Sequence, residues 1–167
     1  DAATGAVKWA WPGDGPAYGS PVIVLAAGTR QVVTMAQRNL VGVSAETGAL
    51  LWQRPFTSPS AQNAITPIVD GEIVYVSGLQ NPVTAFKIVK QGNQWTTEDV
   101  WVNPDVSLYM SNAVLVRGVI FGMSSKNGGQ FFGVDAKTGK TLWTSEPRQG
   151  GNAAVLGAGG VVFLLKD

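Results

Sequence analysis

The nine-residue unit Asp135-Ala-Lys-Thr-Gly-Lys-Thr-Leu-Trp143 constrains this chain more than any other feature. Near-copies stand at Asp1-Ala-Ala-Thr-Gly-Ala-Val-Lys-Trp9 and Ser44-Ala-Glu-Thr-Gly-Ala-Leu-Leu-Trp52. Three copies within 167 residues mean a repeat protein. Each position has a mechanical role. An acidic or hydroxyl side chain at the first position accepts hydrogen bonds from backbone N–H groups two or three residues on. Gly at the fifth position adopts a positive φ without steric cost, and the preceding Thr offers a hydroxyl to the same turn. The Trp four residues later can bury ~150–250 Å² against a neighbouring unit and set its N–H on a backbone carbonyl. The unit is thus a hairpin turn followed by a hook.

A fourth copy is degenerate. Val83-Thr-Ala-Phe-Lys87 corresponds to Leu40-Val-Gly-Val-Ser44, but a longer hairpin over residues 88–95 replaces the Thr-Gly turn, and the anchor returns at Trp101. The four anchors Trp9, Trp52, Trp101 and Trp143 are separated by 43, 49 and 42 residues. A period of about 40–50 residues with four short strands per repeat is the signature of a β-propeller.

The pattern Gly133-x-Asp135-x-x-Thr138-Gly139-x-x-x-Trp143 resembles the tryptophan-docking motif of the PQQ-like β-propeller repeat family. That family includes quinoprotein alcohol dehydrogenases and non-enzymatic, BamB-like propellers. The resemblance extends over essentially the whole chain. It is strongest at Asp1–Trp9 and Asp135–Trp143, good at Ser44–Trp52 and degenerate at Lys87–Trp101. It implies an all-β fold of four-stranded antiparallel blades and a periplasmic or exported location.

Strand and turn signals divide the chain into the end of a blade (1–14), three full blades (19–57, 64–103, 111–146) and the start of another (151–167). Ala6–Trp11 is expected to be an outgoing outer strand. Asp70-Gly71 and Arg117-Gly118 mark hairpins. The last segment offers two inner strands and the first an outer one, so a closed four-blade ring would carry a gapped blade with unpaired edges. The expectation is an incomplete arc of a larger propeller of roughly six to eight blades, with apolar blade faces exposed at both ends. Asp1 stands inside a repeat turn, which suggests a piece of a longer protein.

Composition removes several functions. The chain has no Cys and no His. Ser-His-Asp and Cys-His arrangements and ordinary zinc sites therefore cannot be built from it. Twelve Lys and Arg against 11 Asp and Glu give a net charge of +1, with no basic stripe of the kind nucleic-acid binders carry. No apolar run is long enough to span a membrane.

The polar residues just before the inner strands, Ser20, Thr66, Asn112 and Asn152, recur at steps of 46, 46 and 40. They are the candidate ligand ring at the mouth of the central channel, or else polar caps of strand starts. Gln62-Asn63, Tyr109 and Arg148-Gln149 fall in loops on the same side. Glu98-Asp99 is a paired-carboxylate candidate, placed in the inserted hairpin away from the channel. Lys126-Asn-Gly-Gly129 is glycine-rich but joins two strands rather than opening a helix, which argues against a phosphate cradle. No residue corresponds to the catalytic, cofactor-binding or metal positions of the dehydrogenases, so no cofactor is expected. The reading is a non-catalytic binding or scaffold module whose partner is a protein, a peptide or the remaining blades. The alternative is part of a PQQ-dependent alcohol or sugar dehydrogenase, which the resemblance would supply with PQQ and Ca²⁺.

Overall fold

Four antiparallel sheets, stacked face against face in chain order, make up the protein; the structure is a computed structural model that describes residues 1–167. Sheet I contains β1 (Val22–Ala26), β2 (Thr29–Met35), β3 (Asn39–Ser44) and β4 (Leu50–Pro55). Sheet II contains β5 (Ile68–Asp70), β6 (Ile73–Gly78), β7 (Asn81–Gln91) and β8 (Gln94–Asn103). Sheet III contains β9 (Val114–Val116), β10 (Val119–Ser124), β11 (Gln130–Asp135) and β12 (Thr141–Thr144). Sheet IV is the pair β13 (Ala153–Ala158) and β14 (Val161–Lys166). In each sheet the strands lie side by side in sequence order, the up-and-down meander of a propeller blade.

Two apolar cores lie between the sheets rather than within them. Val24, Val33, Leu40 and Trp52 of sheet I meet Val74, Val76, Phe86 and Ile88 of sheet II. On the opposite face of sheet II, Tyr75, Val83 and Ala85 meet Ile120, Phe132 and Val134 of sheet III. The alternation of side chains along a strand produces this arrangement: neighbours such as Val74 and Tyr75 point to opposite faces and serve different cores.

One irregularity repeats. In sheets I, II and III the third strand pairs with the outer strand until a register shift after Gly42, Ala85 and Gly133. Those residues are the partners of Trp52, Trp101 and Trp143, so a bulge lies beside the anchor in each complete blade. A bulge increases local twist and re-aims side chains, which turns the indole across the strand. A Cβ at Gly42 or Gly133 would collide with that indole, which gives the Gly two residues before each Ser44 or Asp135 a steric reason.

One expectation needs adjustment. Ala6–Trp11 forms no ladder, because no strand of the chain lies beside it. The longer hairpin expected over residues 88–95 is present: β7 and β8 extend into it and pair as far as Gln91 and Gln94. Apolar faces are open at both ends of the stack. Ile23 and Leu25 are 50% and 60% exposed on sheet I, and Leu156, Phe163 and Leu165 are 57%, 52% and 60% exposed on sheet IV.

Candidate functional site

The repeat turn closes as its residues dictate. Asp135 Oδ1 accepts from the backbone N–H of Thr138 at 2.7 Å and from its hydroxyl at 2.8 Å. Gly139, at φ +74°, donates its N–H to the Asp135 carbonyl at 2.8 Å. Asp1 makes the corresponding bonds from one carboxylate oxygen to Ala3, Thr4 and the Thr4 hydroxyl, each at 3.0 Å. Ser44 substitutes its hydroxyl, accepting from Thr47 N–H at 3.2 Å. The Thr138 hydroxyl, with the Thr138 and Lys137 amides and the Lys137 charge, holds the Asp135 carboxyl below its ordinary range against a small opposing effect of burial.

The turns receive indoles from the preceding segment. Trp9 lies over Gly48 and donates Nε1–H to the Ala45 carbonyl at 3.1 Å. Trp101 lies over Gly139 and donates to the Ala136 carbonyl at 3.0 Å, with the Tyr75 ring 5.8 Å away. The Tyr75 hydroxyl donates to the same carbonyl at 3.3 Å. Burial, with Asp70 and Asp135 nearby, pushes the Tyr75 phenol above its usual range.

Trp52 and Trp143 behave differently. The turn that would receive Trp52 is replaced by the extended β7–β8 hairpin. Its indole donates instead to Gln31 Oε1 in its own sheet at 2.7 Å and meets Phe86 of sheet II edge-on at 5.7 Å. Gln31, fully buried on β2, carried no sequence signal for this role; its partner is 21 residues away. Trp143 reaches no turn: it is 40% exposed and packs obliquely against Phe121 at 6.3 Å.

The polar positions before the inner strands form a chain of links between blades. Ser20 N–H donates to Thr66 Oγ1 at 3.0 Å, and Thr66 N–H donates to Asn112 Oδ1 at 2.9 Å. Toward sheet IV the direction reverses: Ala153 N–H donates to Ser111 Oγ at 2.8 Å. Asn152 stands apart from the series, with its N–H on Asp167 Oδ1 at 3.5 Å. The side-chain oxygens of Thr66 and Asn112 are thus engaged by backbone at the start of the preceding inner strand.

The loop candidates are likewise committed to structure. Asn63 is buried and donates to the carbonyls of Ala36, Gln37 and Phe56. Gln62 Oε1 accepts the Tyr109 hydroxyl at 2.7 Å. Gln149 donates to the Glu146 carbonyl and accepts from Lys166, while Arg148 takes a positive φ of 60° at an open surface beside Asn127. Asp99 pairs with Arg54 at 2.7 Å across sheets I and II, and the guanidinium lies 4.8 Å from the Phe86 ring centre. Adjacent Glu98 is on the opposite face of β8, so the two carboxylates do not converge. The Lys126 ammonium donates to the Pro104 carbonyl. No group of three acidic side chains gathers in a geometry for a metal ion. No helix is long and apolar enough to cross a membrane.

Residues 1–145 match the family model described as outer membrane protein assembly factor BamB. Among solved structures, BamB from Moraxella catarrhalis superposes with a TM-score of 0.55 at 20% identity, over 91% of this chain and 46% of that one. The quinohemoprotein alcohol dehydrogenase ADHIIG from Pseudomonas putida HK5 superposes with a TM-score of 0.57 at 18% identity, over 78% of this chain and 20% of that one. The chain thus spans less than half the length of either. At these identities the likeness establishes the fold, an incomplete propeller of PQQ-like blades. No curated protein sequence matches the chain.

Proposed function

Because the chain belongs to the family described as outer membrane protein assembly factor BamB, we propose that it is a non-catalytic segment of a PQQ-like propeller that binds a protein or peptide partner. The carrying observation is the use to which its recurrent polar residues are put. Thr66 and Asn112, placed where a propeller gathers ligands, spend their side-chain oxygens on backbone N–H groups of the preceding blade. The acidic groups follow the same pattern. Asp1 and Asp135 close turns, Asp14 accepts from Arg38 and Asn39, and Asp99 and Glu72 pair with Arg54 and Lys87. A nucleophile with an adjacent imidazole base is not available in a chain without His. The partner class and an exported, periplasmic setting come from the family.

Titration with pyrroloquinoline quinone and Ca²⁺, followed by Trp fluorescence and thermal melting, tests the reading. A ligand that binds the native state raises stability by mass action. The expected result is no saturable change in either signal. A saturable rise in melting temperature that needs both components would overturn the binding-module reading in favour of a dehydrogenase fragment.

A further inference from the structure

Val100 is 50% exposed, although its sheet II stands between the complete sheets I and III. It is the bulged residue of β8, lying between the pairs Ala85–Trp101 and Phe86–Asp99. The bulge re-aims it into a cleft of about 530 Å³ between sheets II and III, beside the repeat turn. Ile73, Tyr75 and Ala136 line the cleft with it, while Asp70 stands on the sheet II side and Lys137 on the sheet III side. Neither of these charged side chains enters an ion pair; the three pairs of the chain lie elsewhere.

At the corresponding place between sheets I and II the chain fills the space with its own residues. Leu51 holds the bulge position in β4, between the pairs Gly42–Trp52 and Val43–Leu50. Leu51 and Trp95 both pack against the core that contains Ile88, so the long β7–β8 hairpin covers this site. Glu72 reaches from sheet II to the Ala27 N–H of sheet I at 3.0 Å and pairs with Lys87 at 3.5 Å. An aromatic ring accompanied by an acid and a base thus closes the first cleft. Sheet III has only the short Asp135–Gly139 turn in the hairpin's place, and Val100 stays half-exposed.

Resting on the reading of the chain as a binder of protein or peptide, we propose that the cleft between sheets II and III docks a partner segment carrying one aromatic residue between a basic and an acidic one. The ring covers Val100 and Ile73, the base faces Asp70 and the acid faces Lys137. The partner supplies from outside what Trp95, Glu72 and Lys87 supply from within the chain at the first cleft. An aromatic anchor in a pocket gives such a contact its affinity, and complementary charges at the rim fix its register.

Methyl NMR of the whole chain tests this, with far-UV circular dichroism confirming that each variant folds. The probes are the blocked tripeptides acetyl-Lys-Trp-Glu-amide and acetyl-Glu-Trp-Lys-amide, one for each chain direction. One of the two is expected to shift the Val100 and Ile73 methyl signals saturably, and replacing its Trp by Gly is expected to abolish the effect. Val100→Ser is expected to weaken binding about five- to tenfold. Lys137→Gln, at an exposed position, is expected to weaken it about two- to fivefold, and not at all once the Glu of the peptide is replaced by Gln. Val100 and Ile73 signals that do not move would overturn the proposal, as would binding indifferent to Val100→Ser. Saturation at methyl groups elsewhere would overturn the cleft and leave the binding-module reading in place, since that reading stands or falls with the quinone and Ca²⁺ titration.

Discussion

Replacing Trp101 by Ala should destabilise the fold far more than replacing Trp143, although the two occupy equivalent repeat positions. Truncation of a fully buried Trp costs about 3–5 kcal/mol. Trp101 is partly buried, with its ring on Gly139 and beside Tyr75, so a loss of about 2–4 kcal/mol is expected. Its indole hydrogen bond to Ala136 accounts for about 1 kcal/mol of this. The Ala136 carbonyl keeps the Tyr75 hydroxyl as a donor and is not orphaned by the change. Trp101→Phe, which retains most of the packing and loses the N–H, should therefore fall between wild type and Trp101→Ala. Trp143, half-exposed and without that bond, should cost under about 1 kcal/mol in dilute protein. Urea unfolding followed by far-UV circular dichroism gives these differences from the midpoints at constant slope. Equal losses at the two positions, or a larger loss at Trp143, would refute the claim that the receiving turn, rather than the repeat position, gives an anchor its energy.

Gly139→Ala and Gly71→Ala both place a side chain at positive φ, +74° and +60°, but only at Gly139 would the new Cβ stand 2.5 Å from an indole. Gly71→Ala should cost about 1 kcal/mol from backbone strain alone, and Gly139→Ala about 2–4 kcal/mol, measured by the same unfolding assay. Trp52→Phe and Gln31→Leu form a double-mutant cycle; the buried bond between them should appear as a coupling of about 1 kcal/mol, and additive losses would exclude it. Asp135 titrates lower in the folded protein than in the unfolded chain. Its contribution is therefore present above the ordinary carboxylate value of 3.8 and is lost as pH falls through the depressed folded value. Asp135→Asn should remove that part of the acid dependence while leaving the neutral-pH fold intact, as read from stability measured across pH.

Much of the architecture could be read from the chain because the repeat couples local to long-range structure. The Thr-Gly turns are specified within five consecutive residues, by an acid or hydroxyl at the first, Thr at the fourth and Gly at the fifth, and the strands around them by period-two alternation. The strand at Ala6–Trp11 was not legible as irregular, because ladder formation depends on a neighbour rather than on the segment's own residues. The bulge opposite each anchor was also hidden: Gly42 and Gly133 carry a signal, but Ala85 shows that the register shift survives without glycine. At the candidate ring the sequence located Ser20, Thr66 and Asn112 but left open whether their side chains face a ligand or the chain. That choice depends on how the sheets stack, which brings an N–H of the preceding blade to the side-chain oxygens of Thr66 and Asn112. Trp52 is the clearest case of tertiary context overriding a motif: no short turn stands in the next blade to receive it, and its indole bonds to Gln31.

The indoles of Trp9 and Trp101 clasp the glycine turns of the blades that follow them. Proton NMR tests it directly. Nuclear Overhauser contacts from the Trp101 ring to the Gly139 Hα protons, and from Trp9 to those of Gly48, are predicted, together with slowed solvent exchange of the Trp101 Nε1–H. Missing contacts for both pairs, with that indole proton exchanging as fast as in a free peptide, would contradict it.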